Sequence, residues 1–211
     1  MKIAKTKIAI SLLAGISILI YSQPAAAHHP FGGDTPSNFF EGFLSGIAHP
    51  VIGVDHFAFV VALGLLCAIK PKGMIIPFIF VLTTLAGTGI HLMNLDLPMP
   101  ELVISASVLA FGAMLAMKNS PNLIWLTILG AIAGLFHGYA YGEAIVGAEM
   151  TPLVAYLAGF ALIQLGISLA ACQTGKFILQ KFADQPSLYL RFAGFTIGGA
   201  GIAFLSNTLL G

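Results

Sequence analysis

His49-Pro50-Val51-Ile52-Gly53-Val54-Asp55-His56 puts three titratable side chains within eight residues, inside a stretch from Phe39 to Cys67 that otherwise reads as membrane-spanning helix. Ionisable groups are costly at bilayer depth, where they mark a substrate pathway, an ion site or a proton relay. The rest of the chain supports a membrane setting: 58% of its 211 residues are hydrophobic and 8% charged, with a mean hydropathy of +0.96. A soluble domain carries roughly 25% charged residues, so an all-α, polytopic membrane helix bundle is expected. The formal net charge is +1, and no basic run points to a nucleic-acid partner.

The first residues have the layout of a signal peptide. Lys2, Lys5 and Lys7 form a positive region, Ile8 to Ile20 an apolar one, and Ala25-Ala26-Ala27 a small-residue cleavage site. The apolar region is short for a span, which needs about 20 residues; an uncleaved anchor helix is the alternative. Residues 1–27 are therefore read as a removed segment, leaving a mature chain that begins His28-His29-Pro30 and forms one transmembrane transporter domain over 28–211.

Polar and Pro/Gly-rich breaks divide the mature chain into spans at 39–68, 74–93, 101–117, 122–142, 151–172 and 188–209. Six transmembrane helices result. The first is long for about 30 Å of hydrocarbon, which calls for a tilt, a kink at Pro50 or an outer end that emerges. Lys70, Lys72, Lys118, Lys176, Lys181 and Arg191 all fall on one side of this arrangement, cytoplasmic by the positive-inside rule. Asp34, Glu41, Asp96, Glu101, Glu143 and Glu149 gather on the other. Both termini are then periplasmic, in the cytoplasmic (inner) membrane of a bacterium. Helices one to three and four to six have opposite topology, the pattern of a 3+3 inverted repeat, and Gly46-x-x-His49 and Gly134-x-x-His137 occupy comparable places in the two halves.

Counting outward from the inner loops at about 1.5 Å per residue brings His49, His56, His91 and His137 to the outer third of the membrane. His49, Gly53 and His56 share one face of an undistorted helix, while Asp55 points roughly 100° away from His56; it can join them through distortion at Pro50 or face a neighbouring helix, and beside the site it can hold an imidazole N–H and set the tautomer. Glu143 stands near the outer mouth. Imidazole nitrogen with carboxylate oxygen suits borderline divalent ions such as nickel, cobalt, zinc or copper. Each group also has a plain structural role open to it. His91 can serve as a helix–helix hydrogen-bonding residue, Asp55 as a structural partner or proton relay, Glu143 as a solvated helix end, and Gly138 and Gly142 as close-packing positions. His28 and His29, with a free amino terminus, form a second candidate metal-capture site. Cys67 and Cys172 make neither a disulfide framework nor a CxxC motif, and are read as reduced, packed thiols near cytoplasmic helix ends.

The His-Pro-x-x-Gly-x-Asp-His stretch (His49, Asp55, His56) and Phe136-His137-Gly138-Tyr139-Ala140-Tyr141-Gly142-Glu143 resemble the HupE/UreJ family of membrane proteins, and the resemblance extends over the whole layout. It implies a secondary permease for nickel or cobalt, often associated with hydrogenase or urease maturation, with no tightly bound cofactor and Ni2+ or Co2+ as substrate. It implies that His49, Asp55 and His56 bind or translocate the metal, and that His137 and Glu143 complete the path. The chain departs from the family in two places: the acid often stands one residue further beyond the glycine, and a histidine often occupies the place of Tyr141. The implied partners are the divalent transition-metal ion and the lipid bilayer; oligomeric state stays open.

Two other functions fit parts of the pattern. A histidine-bound ion could serve a membrane metalloenzyme, but there is no HExxH motif and no suite of paired histidines. Met93 and Met99 near His91 suggest copper handling, since thioethers suit Cu(I); methionine is also a routine filler of apolar helices. No GxxxxGK[ST] motif for a built-in ATPase is present.

Overall fold

Asn38 opens the first helix: its side-chain oxygen accepts the Glu41 backbone N–H at 3.0 Å, and the Glu41 carboxylate accepts the Ser37 N–H at 2.8 Å, closing a reciprocal cap. The computed structural model describes residues 35–182 and 185–211. The expected signal segment, His28 and His29 lie outside the described residues. Those described form seven helices and no strand: α1 Phe39–Ile52, α2 Val54–Ala68, α3 Ile75–Leu92, α4 Pro100–Ala116, α5 Leu123–Glu143, α6 Met150–Lys181 and α7 Pro186–Leu210.

The long first span is two helices. The backbone stays helical through Pro50 and ends at Ile52; Gly53, at φ −68° and ψ 96°, turns the chain, and α2 leaves at 78° to α1. The expected kink at Pro50 is therefore a break three residues further on. Proline forfeits its own N–H bond to the preceding turn, a loss tolerable this close to the helix end. At Gly53 a Cβ would press on the His56 ring at 2.6 Å, so the residue that turns the chain is one without a side chain. His49 and His56 consequently do not share the face of one straight helix.

The other elements follow the hydropathy pattern. The α3, α5, α6 and α7 helices are long and apolar enough to cross a membrane, and the bent α1/α2 pair passes the same test as one unit. The α4 helix is shorter, at 17 residues. At 1.5 Å per residue it reaches about 25 Å, slightly less than the hydrocarbon thickness. The α6 helix exceeds its expected span, continuing past Cys172 through Lys176 to Lys181. Large apolar side chains remain exposed on the outer faces, including Trp125, Ile124, Leu162 and Phe195, as expected where lipid is the solvent. Phe59, Val60, Leu63, Leu66, Phe80, Phe111 and Leu126 fill the interior.

Three pairings organise the bundle: α3 with α5, α4 with α7, and the α1/α2 unit with α6. Exchanging the first half (α1/α2, α3, α4) with the second (α5, α6, α7) converts the α3–α5 pair into the α6–α1 pair and maps α4–α7 onto itself. The glycines repeat the relation. A Cβ on Gly46 would strike the backbone of α6 at Tyr156 and Phe160, and one on Gly134 would strike α3 at Phe80 and Thr83. The two Gly-x-x-His segments thus occupy comparable helix crossings. Cys67 and Cys172 are free and buried where α2 meets α6, their sulfurs 2.8 Å apart. Cys172 lies within α6 rather than at its end.

Candidate metal-binding site

The break at Gly53 turns the last full turn of α1 and the first turn of α2 toward each other. His49 and His56 meet edge-on with ring centroids 5.7 Å apart. His56 then meets His137 of α5: the centroids are 4.8 Å apart, and the two Nδ1 atoms stand at 2.7 Å. All three rings are buried, His137 at 0% exposure. The α5 helix brings His137 this deep because Gly134 and Gly138 let it lie directly on α3; a Cβ at Gly138 would land on the Thr84 carbonyl. Phe59 and Phe80 close over the His137 ring from α2 and α3, at 4.5 and 5.8 Å.

Hydroxyls surround the three imidazoles. Tyr141, one turn beyond His137, packs its ring against both His49 (4.9 Å) and His56 (4.6 Å). From α6, the Tyr156 hydroxyl lies 3.0 Å from His49 Nδ1 and donates to the Tyr141 carbonyl at 2.8 Å. From α4, the Ser107 hydroxyl lies 3.0 Å from His137 Nε2 and donates to the Ile104 carbonyl at 2.6 Å. Gln164 spans from the Tyr141 hydroxyl (3.5 Å) to Thr84 (3.4 Å).

The candidate residues divide accordingly. His49, His56 and His137 come together. Asp55 is half-buried beside them, and its Oδ1 accepts the His56 backbone N–H at 2.8 Å, holding the first turn of α2. Glu143 is exposed at the end of α5. His91, expected at the same depth as His49 and His137, joins another group. Its ring packs on Tyr139 at 4.5 Å and against Gly142, and its Nδ1 is buried with no hydrogen-bond partner. Among the described residues no three His, Cys, Asp or Glu side chains converge closely enough to enclose an ion. The arrangement is an imidazole pair with a third imidazole beside it.

Sequence reasoning did not find Ser107, Tyr156 or Gln164. A signal existed on α6, where Tyr156 and Gln164 are polar groups two turns apart in an apolar helix. Ser107 has no such signal, because small hydroxyls are ordinary in membrane helices.

The sequence profile described as HupE / UreJ protein matches residues 16–204, nearly the whole chain. The chain belongs to the HupE/UreJ family. Protein HupE of Rhizobium leguminosarum bv. viciae is similar to it, with 32% identity over 173 residues that cover 78% of this chain and 85% of the relative. No solved structure matches the chain. HupE/UreJ proteins are a transporter-type family associated with nickel and cobalt transport, and the apolar helices of this member imply a lipid setting. In this member of the HupE/UreJ family, both motifs that carry the resemblance contribute a ring to the buried imidazole pair.

Proposed function

We propose that this protein is a secondary transporter that imports nickel or cobalt ions across the cytoplasmic membrane, from the periplasmic side, through His49, His56 and His137. The observation that carries the reading is the meeting of His56 and His137, from the two sequence motifs, nitrogen to nitrogen at 2.7 Å in the buried centre of the bundle. A borderline divalent ion with metal–nitrogen bonds of about 2.1 Å at a right angle needs its two nitrogens about 3 Å apart. The pair is thus within a few tenths of an ångström of a bidentate geometry. Asp55 and Glu143 supply carboxylates on the approach, and His28 and His29 act as a capture site at the mature N-terminus after cleavage at Ala27.

The charge pattern supports the direction. With Lys70, Lys72, Lys118, Lys176, Lys181 and Arg191 inside, His56, in the first turn of α2, and His137, in the last two turns of α5, lie toward the outer surface. The ion sheds water on imidazole there, and rearrangement of the two halves opens the path inward. The test is uptake of labelled nickel and cobalt by purified protein in liposomes. Uptake lost in both His56→Ala and His137→Ala supports the reading; no uptake by the unaltered protein overturns it.

A further inference from the structure

We propose that Ser107 and Tyr156 are positioning residues that fix the tautomers of His137 and His49, so that His137 presents Nδ1 and His49 presents Nε2 as the nitrogen able to take a cation. The consequence for transport rests on the reading above; the tautomers themselves do not.

A serine or tyrosine hydroxyl has one proton to give. Ser107 spends it on the Ile104 carbonyl at 2.6 Å, a group that can only accept. Its oxygen can therefore only accept from His137 Nε2 at 3.0 Å, which places a proton on Nε2 and leaves the Nδ1 lone pair bare. Tyr156 repeats the logic from another helix. Its proton goes to the Tyr141 carbonyl at 2.8 Å, so its oxygen accepts from His49 Nδ1 at 3.0 Å, and the lone pair of His49 is left on Nε2. Reversing either assignment would set a hydroxyl oxygen against a carbonyl oxygen at hydrogen-bond distance with no proton between them.

Fixing His137 also orders the central contact. Its bare Nδ1 faces His56 Nδ1 at 2.7 Å, so the proton in that contact sits on His56. A cation taking His137 Nδ1 as a ligand requires the proton between the rings to leave His56 Nδ1, and His56 can keep it by passing to its Nε2–H tautomer. Hydroxyls that hold the non-ligating nitrogen of a ligating histidine set ring orientation and basicity, and their removal costs about 10–100-fold in metal affinity. The α4 and α6 helices, which bring no histidine to the cluster, thus each control one ring.

The test uses full-length protein purified in detergent with 15N-labelled histidine. The ring signals of His137 and His49 are assigned by their loss in His137→Gln and His49→Gln. In ion-free protein, His137 should be protonated at Nε2 and His49 at Nδ1. Ser107→Ala should release His137 to a tautomer mixture while Ser107→Thr, which keeps the hydroxyl, holds it; Tyr156→Phe should release His49 alone. Cobalt titration of the same samples should show affinity reduced about 10–100-fold in Ser107→Ala and Tyr156→Phe and retained in Ser107→Thr. His137 protonated at Nδ1 in the unaltered protein, or tautomers and cobalt affinity both unchanged in Ser107→Ala and Tyr156→Phe, overturns the proposal. Fixed tautomers with no cobalt or nickel binding in any sample uphold the lock and sink the transport reading instead.

Discussion

His49 and His56 face each other across a 78° break in the chain, their rings edge-on with centroids 5.7 Å apart, and Gly53 is the hinge between them. A continuous helix would have carried both imidazoles along one face, about 10 Å apart at seven residues of 1.5 Å rise. The break folds that distance away and lets α2 deliver His56 to His137 while α1 delivers His49 from the other side. Broken helices with this behaviour are found in membrane transporters, where unwound backbone is tolerated if it lines a protein interior.

Gly53→Ala tests the hinge. The φ and ψ of Gly53 are open to any residue, but an added Cβ meets His56 Cδ2 at 2.6 Å and the His49 carbonyl at 3.2 Å. The His56 ring must rotate away from His137. Cobalt affinity should fall at least about tenfold, as for other losses of ligand orientation, while the helical circular dichroism stays that of the unaltered protein. Unchanged affinity would show that the ring has room to adjust.

His137 and His91 should separate cleanly. His137 is fully buried and faces His56; His91 packs on Tyr139 with an unpartnered buried Nδ1. Replacing an orphaned polar atom by an apolar one costs no hydrogen bond. His91→Phe should therefore retain metal uptake and thermal stability, and His137→Phe should abolish uptake. Loss of uptake in His91→Phe would place it on the path after all.

Gly138 and Gly89 make a matched pair for packing. A Cβ on Gly138 lands on the Thr84 carbonyl of α3, and the displaced backbone would also strain the Thr88 hydroxyl bond to the Gly138 carbonyl, now 2.7 Å. Gly138→Ala should cost about 1–3 kcal/mol or more through overpacking. Gly89, on the same α3 helix, has nothing within 4 Å of a built Cβ, so Gly89→Ala should be neutral or stabilising. The midpoint of thermal aggregation in detergent reads both.

Membrane orientation has a direct readout. In a Cys67→Ser, Cys172→Ser background, Val146→Cys sits in the exposed connection after α5 and Asn119→Cys in the one before it. An impermeant maleimide added to spheroplasts should label position 146 and reach position 119 only after permeabilisation. The reverse pattern would invert the proposed direction.

Hydropathy and charge alone marked out nearly all of the helices, since both report how each segment meets lipid or water, which is local to the segment. His49, His56 and His137 were legible for the same reason: an imidazole in an apolar run is conspicuous wherever its helix packs. Which imidazoles meet is a different matter, because it depends on crossings between helices distant in sequence. Gly46 against α6 and Gly134 and Gly138 against α3 fix how closely those helices approach, and Gly53 fixes the angle between α1 and α2. Those contacts put His91 beside Tyr139 and against Gly142, apart from the ring contacts that join His49, His56 and His137. They also bring Ser107 and Tyr156, unremarkable in their own helices, to the ring nitrogens of His137 and His49. Sequence determined the environment of each helix and the chemistry it carries; tertiary structure decided the partners, because a hydrogen bond needs two atoms within about 3 Å and only packing sets that distance.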